Sequence, residues 1–291
     1  MRQYIKRFLR SLVNSLPLKQ PLFRAIRFFW VPSPNVYQHL HFVGKFSVEL
    51  TQGQRFFLYH PGFIIENEIF WRGLYGSWEA DSLRLWSALA TTSKEILDIG
   101  ANTGVYSVLA KAHNPDAIVH AFEPNKKYFE FILKNNLINS FDIKAHDYGI
   151  GDSDSDAMLG DYSGERDYIE ARVRSIDSLI EDKTIRRVDL IKIDVERYEV
   201  EVLRGFSKYI SLYTPAIIIE VLDDNIANMI DDFISGLRLD YLKFNINERG
   251  SIRQTDIITK SDHWNYLLCT QEQALGIGLL APDDRKLPNI K

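Results

Sequence analysis

The alternation that sets in at Ile96 constrains this chain more than any other feature. Apolar runs at Ile96–Ile99, Ile118–Glu123, Ile143–Tyr148, Val188–Val195 and Ala216–Leu222 read as strands. Between them, Val105, Val108, Leu109 and Ala112, then Phe129, Ile132, Leu133 and Asn136, recur at helical spacing, as do the stretches Glu199–Leu203 and Ile226–Leu237. Alternating strands and helices predict an α/β fold with a doubly wound, mostly parallel sheet. A hairpin of Tyr241–Ile246, a turn at Asn247–Gly250 and a last strand near Trp264–Cys269 predicts an antiparallel finish. The expectation is a seven-stranded Rossmann-like sheet with an antiparallel C-terminal strand, plus an N-terminal helical/β extension.

In such a sheet, ligands bind beyond the carboxyl ends of the strands, where strand order reverses. The first strand runs into Asp98-Ile99-Gly100-Ala101-Asn102-Thr103-Gly104, with a helix opening behind it. Glycines at 100 and 104 let backbone approach a ligand closely, and free N–H groups at the helix start suit an anionic group. The dinucleotide fingerprint is not met: Asn102 stands where its second glycine belongs, and Val105-Tyr106 where its third belongs. Asp98 inside the loop disfavours phosphate and favours a ligand with positive charge. Glu123-Pro124-Asn125 ends the second strand, where an acid accepts hydrogen bonds from both ribose hydroxyls. A nucleoside with a cationic, zwitterionic substituent fits, and S-adenosyl-L-methionine is one. On this reading Asp98, Gly100, Asn102, Thr103, Gly104, Glu123, Pro124 and Asn125 form the cofactor site. The bland alternative is that Asp98 and Glu123 only cap strand ends.

In Val188 to Glu196, a period of two puts Lys192, Asp194 and Glu196 on one face of a strand and Ile191, Ile193 and Val195 on the other. Acids at this strand end project into the cleft where a transferred group lies. Glu220 ends the next strand beside it. Asp194, Glu196 and Glu220 are therefore the candidate catalytic residues, with Asp194 also touching the cofactor. A structural Lys192–Asp194 pair is the competing reading.

The segments Ile96–Gly104 and Phe122–Asn125 resemble class I methyltransferases. Ser175–Leu179, Asp189 through Glu196 on to Leu203-Arg204-Gly205, Pro215–Glu220 and Asn265-Tyr266-Leu267 resemble the FkbM family in particular. The similarity runs in consistent order from about Trp78 to Thr270. It implies methyl transfer from S-adenosyl-L-methionine, generally to a hydroxyl oxygen and often on a sugar in glycan, glycolipid or natural-product biosynthesis. It also implies a cofactor role for Glu79, just after Trp78, and adenine contacts in the loop Asp147–Asp152, for which Gly149 is the candidate. One position departs: after Asp194-Val195-Glu196 the family usually has glycine, and here Arg197 stands instead. The turn geometry there is thrown open, and Arg197 is a candidate cation for an anionic acceptor or simply a solvent-facing arginine.

A sugar hydroxyl is a weak nucleophile near neutral pH, so a general base is expected, worth about 10²–10⁴-fold. Asp194 is the candidate, acting alone or with Glu196 as ligands of a divalent metal such as Mg²⁺. Two other functions share some features. A nicotinamide-dependent sugar oxidoreductase or epimerase also uses a glycine turn and a ribose-binding acid. A catalytically inactive scaffold in a sugar-assembly complex could keep the fold alone.

Composition narrows the class further. The chain has 291 residues, 25% charged and 45% hydrophobic, and a single cysteine, Cys269, which excludes an intramolecular disulfide and any multi-cysteine metal site. Net charge is −4, which argues against a general nucleic-acid binder. Arg2, Lys6, Arg7, Arg10, Lys19, Arg24, Arg27 and Lys45 all precede the first acid, Glu49, leaving 27 basic against 39 acidic residues in the remainder. Arg7 and Arg10 stand where a signal peptide needs its apolar core, so a cytoplasmic location is expected. Tyr4–Leu16 reads as a basic amphipathic helix, followed by Phe28-Phe29-Trp30. Peripheral contact with an anionic membrane at its inner face, or with a glycosyltransferase, through residues 1–30 is the corresponding partner expectation; packing on the chain's own body is the alternative. The expected organisation is a basic extension over 1–40, strands and a lid helix over 41–91, the main domain over 92–275 and a tail over 276–291.

Overall fold

The computed structural model describes residues 19–50, 53–76, 78–160, 168–248 and 250–281. The helix expected over Tyr4–Leu16 and most of the tail lie outside them. The chain divides into two compact units, Met1–Ala80 and Asp81–Lys291. No helix among the described residues is long and apolar enough to cross a membrane.

In the first unit, α1 (Lys19–Phe29) and α2 (Pro34–Tyr37) precede an antiparallel hairpin of β1 (Gly44–Glu49) and β2 (Arg55–His60), then α3 (Ile64–Arg72). The hairpin alternates as a half-buried pair should, with Phe46, Val48, Phe56 and Leu58 inward. Its core is aromatic. Trp71 sits between Phe23, at 5.6 Å between ring centroids, and Tyr37, at 6.3 Å. Buried Asn67 donates from Nδ2 to the Tyr37 carbonyl at 2.8 Å, which satisfies its polar end inside that core.

The second unit opens on α4 (Ala80–Ala90) and then alternates: β3 (Glu95–Ile99), α5 (Val105–His113), β4 (Ile118–Phe122), α6 (Lys126–Asn139) and β5 (Lys144–His146). A small sheet follows, of β6 (Gly149–Ile150), β7 (Ser155–Gly160) and β8 (Tyr168–Arg174), in the order β6-β8-β7. Next come α7 (Ile176–Glu181), β9 (Leu190–Ile193), α8 (Glu199–Arg204), α9 (Ile210–Tyr213), β10 (Ala216–Glu220) and α10 (Asp224–Gly236). The chain ends in β11 (Leu242–Asn247), β12 (Ser251–Thr255), β13 (Asn265–Cys269) and α11 (Gln271–Gly276).

The main sheet runs β12-β11-β13-β10-β9-β3-β4-β5. From β3 the chain winds outward through β4 to β5, then returns to place β9 on the other side of β3 and continues to β10. All four of these pairings are parallel. The reversal between β3 and β9 is the switch point where a ligand cleft belongs. β3, β9 and β10 are buried along their whole length, with both faces covered, which explains why they read as continuous apolar runs.

The sheet has eight strands rather than the expected seven; the expected antiparallel pairing of Tyr241–Ile246 with the last strand is present as β11 against β13, and the strand not expected is β12. β11 pairs across the tight turn with its immediate successor β12, while β13 inserts between β10 and β11, antiparallel to both. The turn is short and Gly250 takes φ +105°, so the nearest residues close the hairpin and β12 covers the edge β11 would otherwise expose.

Gly205 joins the small sheet to the helices. A methyl group there would stand 1.9 Å from the Gly151 carbonyl oxygen, and the Gly205 carbonyl accepts the Asp177 N–H at 2.8 Å. Gly205→Ala is expected to lower unfolding stability by about 1–3 kcal/mol, the usual cost of overpacking, in urea titrations; an unchanged midpoint would show that this junction is loose.

Candidate active site

Two backbone crossings build the site. Gly100 follows β3 with φ +75°, and a Cβ on it would lie 1.8 Å from the Asp194 carbonyl oxygen. The glycine turn after β3 and the acidic turn after β9 are thus pressed together, and the Asp194 N–H donates to the Ile99 carbonyl at 3.1 Å. On the other side, Gly100 and Ala101 both donate to the Phe122 carbonyl at 3.0 Å. Gly104 caps α5 with φ +83°, and buried Asn135 donates to the Thr103 carbonyl at 2.8 Å, fixing the loop from behind.

Glu123 is 7% exposed and is held from two directions. Oε2 accepts the Asn102 N–H and Oε1 the Asn125 N–H, each at 2.8 Å. Asn102 reaches this position with φ +51°, and Asn125 also caps α6 by accepting the Lys127 N–H. Each oxygen keeps a lone pair for a further donor. Burial pushes the Glu123 carboxyl up to about 7, against the lowering effect of the two N–H donors.

Asp98 is almost fully buried and accepts a 2.6 Å hydrogen bond from Ser107 Oγ. Its neighbour across the parallel register is Lys192. The Lys192 ammonium lies 2.5 Å from Asp194 Oδ2 and 4.6 Å from the Tyr106 ring centroid. Burial raises the Asp98 carboxyl, and Lys192 is the largest influence pulling it back down. The charge of Lys192 therefore serves both acids.

Asp194, Glu196 and Glu220 each bring a carboxylate oxygen within 4.8 Å of the others. Glu220 Oε2 is buried without a hydrogen-bond partner, and its carboxyl is raised by burial first and by Asp194 next. Glu196 is raised by burial and by Asp194 as well. Such a cluster can take a proton from a hydroxyl or coordinate a hard cation.

Arg197 occupies the family's glycine position with the glycine's backbone: its φ is +82°, after Glu196 at +55°. The turn is kept by Glu199, which the sequence did not single out. Its carboxylate accepts the Arg197 N–H at 3.1 Å and the Val195 N–H at 3.3 Å, and burial pushes it up to about 7. The Arg197 guanidinium pairs with Asp223, the cap of α10. The pair is solvent-exposed, with the Arg197 side chain 58% accessible, so it holds the guanidinium only weakly.

The remaining expected residues divide. Gly149 lies in β6, where a Cβ would meet Leu159 Cδ1, the end of a side chain, at 2.7 Å. Glu79 belongs to the first unit and has φ +42°; the cluster described above is built from the second unit. Pro124 is half-buried between Glu123 and Asn125. Beside the site, Tyr148, His146, His120 and Glu95 form a hydrogen-bonded chain with links of 3.2, 3.0 and 3.1 Å. No motif signalled it, because its members lie on three different strands and the loop after β5.

The model of the methyltransferase FkbM domain matches residues 98–243, a span that contains the whole cluster. A hexuronic acid methyltransferase, AglP of Haloferax volcanii, is 28% identical, over 44% of this chain and 56% of its own length. The AMB antimetabolite synthetase AmbE of Pseudomonas aeruginosa is 26% identical, over 58% of this chain and 10% of its own. The chain thus spans less than two thirds of the curated relatives it matches. Among solved structures, methyltransferase FkbM from Methylobacillus flagellatus is 20% identical with a TM-score of 0.41, covering 60% of this chain and 43% of that one.

Lys192 sets a test of the electrostatics. Lys192→Met should leave buried Asp98 without its counter-charge and reduce stability at neutral pH by about 3–5 kcal/mol. Protonation of Asp98, whose carboxyl burial raises, relieves the penalty, so stability should recover as pH is lowered from neutral, opposite to a simple acid denaturation. Equal losses at both pH values in chemical unfolding would contradict this assignment.

Proposed function

This chain belongs to the methyltransferase FkbM domain family, and from that premise we propose that it is an S-adenosyl-L-methionine-dependent O-methyltransferase acting on a sugar hydroxyl. The observation that carries the reading is Glu123, a buried carboxylate held by the N–H groups of Asn102 and Asn125 at the edge of the Gly100–Gly104 turn, facing the switch point that also holds Asp194. Its two remaining lone pairs suit a vicinal diol such as a ribose. Asp98, close behind, offers negative charge to a cationic ligand. When bound, S-adenosyl-L-methionine supplies a methyl carbon activated by a sulfonium. The hexuronic acid methyltransferase among the relatives supports a sugar acceptor.

The protein's own residues then have two tasks. Gly100, Asn102, Gly104 and Glu123 orient the reacting carbon, and positioning of this kind can account for roughly 7–11 kcal/mol of barrier. Asp194, held through Oδ2 by Lys192, takes the proton as the acceptor oxygen attacks. Glu220, whose proton is retained by burial, keeps the cluster from carrying three negative charges at once.

Glu220 also favours a second reading of how the hydroxyl is activated. Its unpartnered Oε2, with Asp194 and Glu196 within reach, would hold a divalent cation such as Mg²⁺, which acidifies a bound hydroxyl. Treatment with EDTA distinguishes the two. Loss of turnover restored by Mg²⁺, with a Mg²⁺-dependent rise in melting temperature absent in Glu196→Gln, supports the metal. Unchanged turnover leaves Asp194 acting alone.

Asp194→Asn should lower turnover on a nucleotide-sugar panel at least about tenfold while still binding S-adenosylhomocysteine in calorimetry; undiminished turnover removes it from the mechanism. Because Glu123 titrates near 7 and accepts hydrogen bonds best when ionised, affinity should tighten as pH rises through that value. Between pH 6 and 8 the gain should approach about tenfold, and Glu123→Gln should flatten it. Affinity that is flat for the wild type would separate Glu123 from the ligand.

A further inference from the structure

The first unit carries an apolar surface that the proposed reaction does not use. α1 is apolar on two faces. Phe23 packs inward at 2% exposure against Trp71, which is all a helix needs to dock on its own body. A second stripe, Leu22, Ala25 and Phe29 at i, i+3 and i+7, faces outward and continues past the helix end. Phe28 is 82% exposed, Phe29 85%, Trp30 63% and Val31 40%. Phe28 and Phe29 meet edge to face at 5.1 Å. Three consecutive aromatic side chains that project this far form a wedge rather than a groove.

Charge on α1 itself is basic: Arg24 is exposed and Lys19 half-buried, and the first acid in the sequence is Glu49, which acts on Arg27. Arg27 is already spent on the Phe70 ring, 5.5 Å from its centroid. Elsewhere the chain is acidic, so this basicity is local.

We propose that the Phe28-Phe29-Trp30 wedge inserts into the interface of an anionic bilayer, with Lys19 and Arg24 over the lipid headgroups. A fluid interface accepts a protruding wedge without a pre-shaped pocket, favours tryptophan at headgroup depth, and adds electrostatic attraction to apolar burial. A protein partner would need a cavity matched to the wedge. This inference is independent of the reaction assigned to the second unit.

The full chain is centrifuged with vesicles of phosphatidylcholine alone and of phosphatidylcholine mixed with phosphatidylglycerol. Sedimentation is expected with the anionic vesicles only, weakened by salt, with a blue shift of tryptophan emission. A variant carrying Phe28→Ser, Phe29→Ser and Trp30→Ser should bind at least about tenfold more weakly, with an unchanged melting temperature. Lys19→Glu with Arg24→Glu should abolish the preference for anionic lipid. The proposal is overturned if the wild type stays in the supernatant, or if the serine variant sediments like it. A serine variant that instead converts an oligomer to monomers, with no vesicle binding by the wild type, assigns the wedge to a second copy of the chain and overturns the membrane reading as well.

Discussion

Lys192 brings a positive charge into the middle of a sheet strand whose two neighbours are also buried, and the candidate site is organised around it. Its ammonium meets Asp194 directly and faces Asp98 across the β3–β9 register. A lone buried ammonium or carboxylate is costly; a lysine shared between two carboxylates, resting on the face of Tyr106, offsets the burial that raises the Asp98 carboxyl. Without that shared charge, the turn after β3 and the turn after β9 would present mutually repelling carboxylates to one cleft. On the proposed function, Asp98 then faces the cationic ligand and Asp194 the acceptor.

The backbone supports the same arrangement by contact. Gly100 permits the Asp194 carbonyl to lie against it, so neither turn can shift without the other. Five of the positions that shape the cleft, Gly100, Asn102, Gly104, Glu196 and Arg197, hold positive φ, three of them without glycine. Local strain of this kind persists only where neighbours over-determine it: here Glu123 holds the Asn102 N–H and Glu199 holds the Arg197 N–H. Glu123 therefore has a structural role beside the ligand contact proposed for it. That dual role explains why its loss should be read through binding and turnover together.

Much of this was legible in the sequence, for identifiable reasons. β3, β9 and β10 are buried on both faces, so their residues form unbroken apolar runs, and acids that end such runs stand out. Asp98, Glu123, Asp194, Glu196 and Glu220 were visible on that ground. What was not visible depends on pairings between distant residues. Glu199 looks like an ordinary acid in the first turn of a short helix, and only the structure shows it gripping the preceding turn. The order β12-β11-β13 could not be read because β11 offers two edges and either neighbour satisfies the same alternation. The partner of Arg197, Asp223, is one of many acids following β10.

The central claim is that the cleft between β3 and β9 holds an adenosyl-sulfonium ligand through Glu123 and Asp98. Thermal unfolding of the full chain with S-adenosyl-L-methionine, S-adenosylhomocysteine, NAD and NADP, measured side by side, tests it most directly. A ligand present at 100 times its dissociation constant stabilises by about 2.7 kcal/mol, well within the reach of a melting curve. The account predicts a shift with the two adenosyl-sulfur ligands and none with the dinucleotides. A shift with a dinucleotide alone would make this a nicotinamide site and the Gly100–Gly104 turn a phosphate cradle, and no shift with any of the four would leave the fold as a scaffold; each contradicts it.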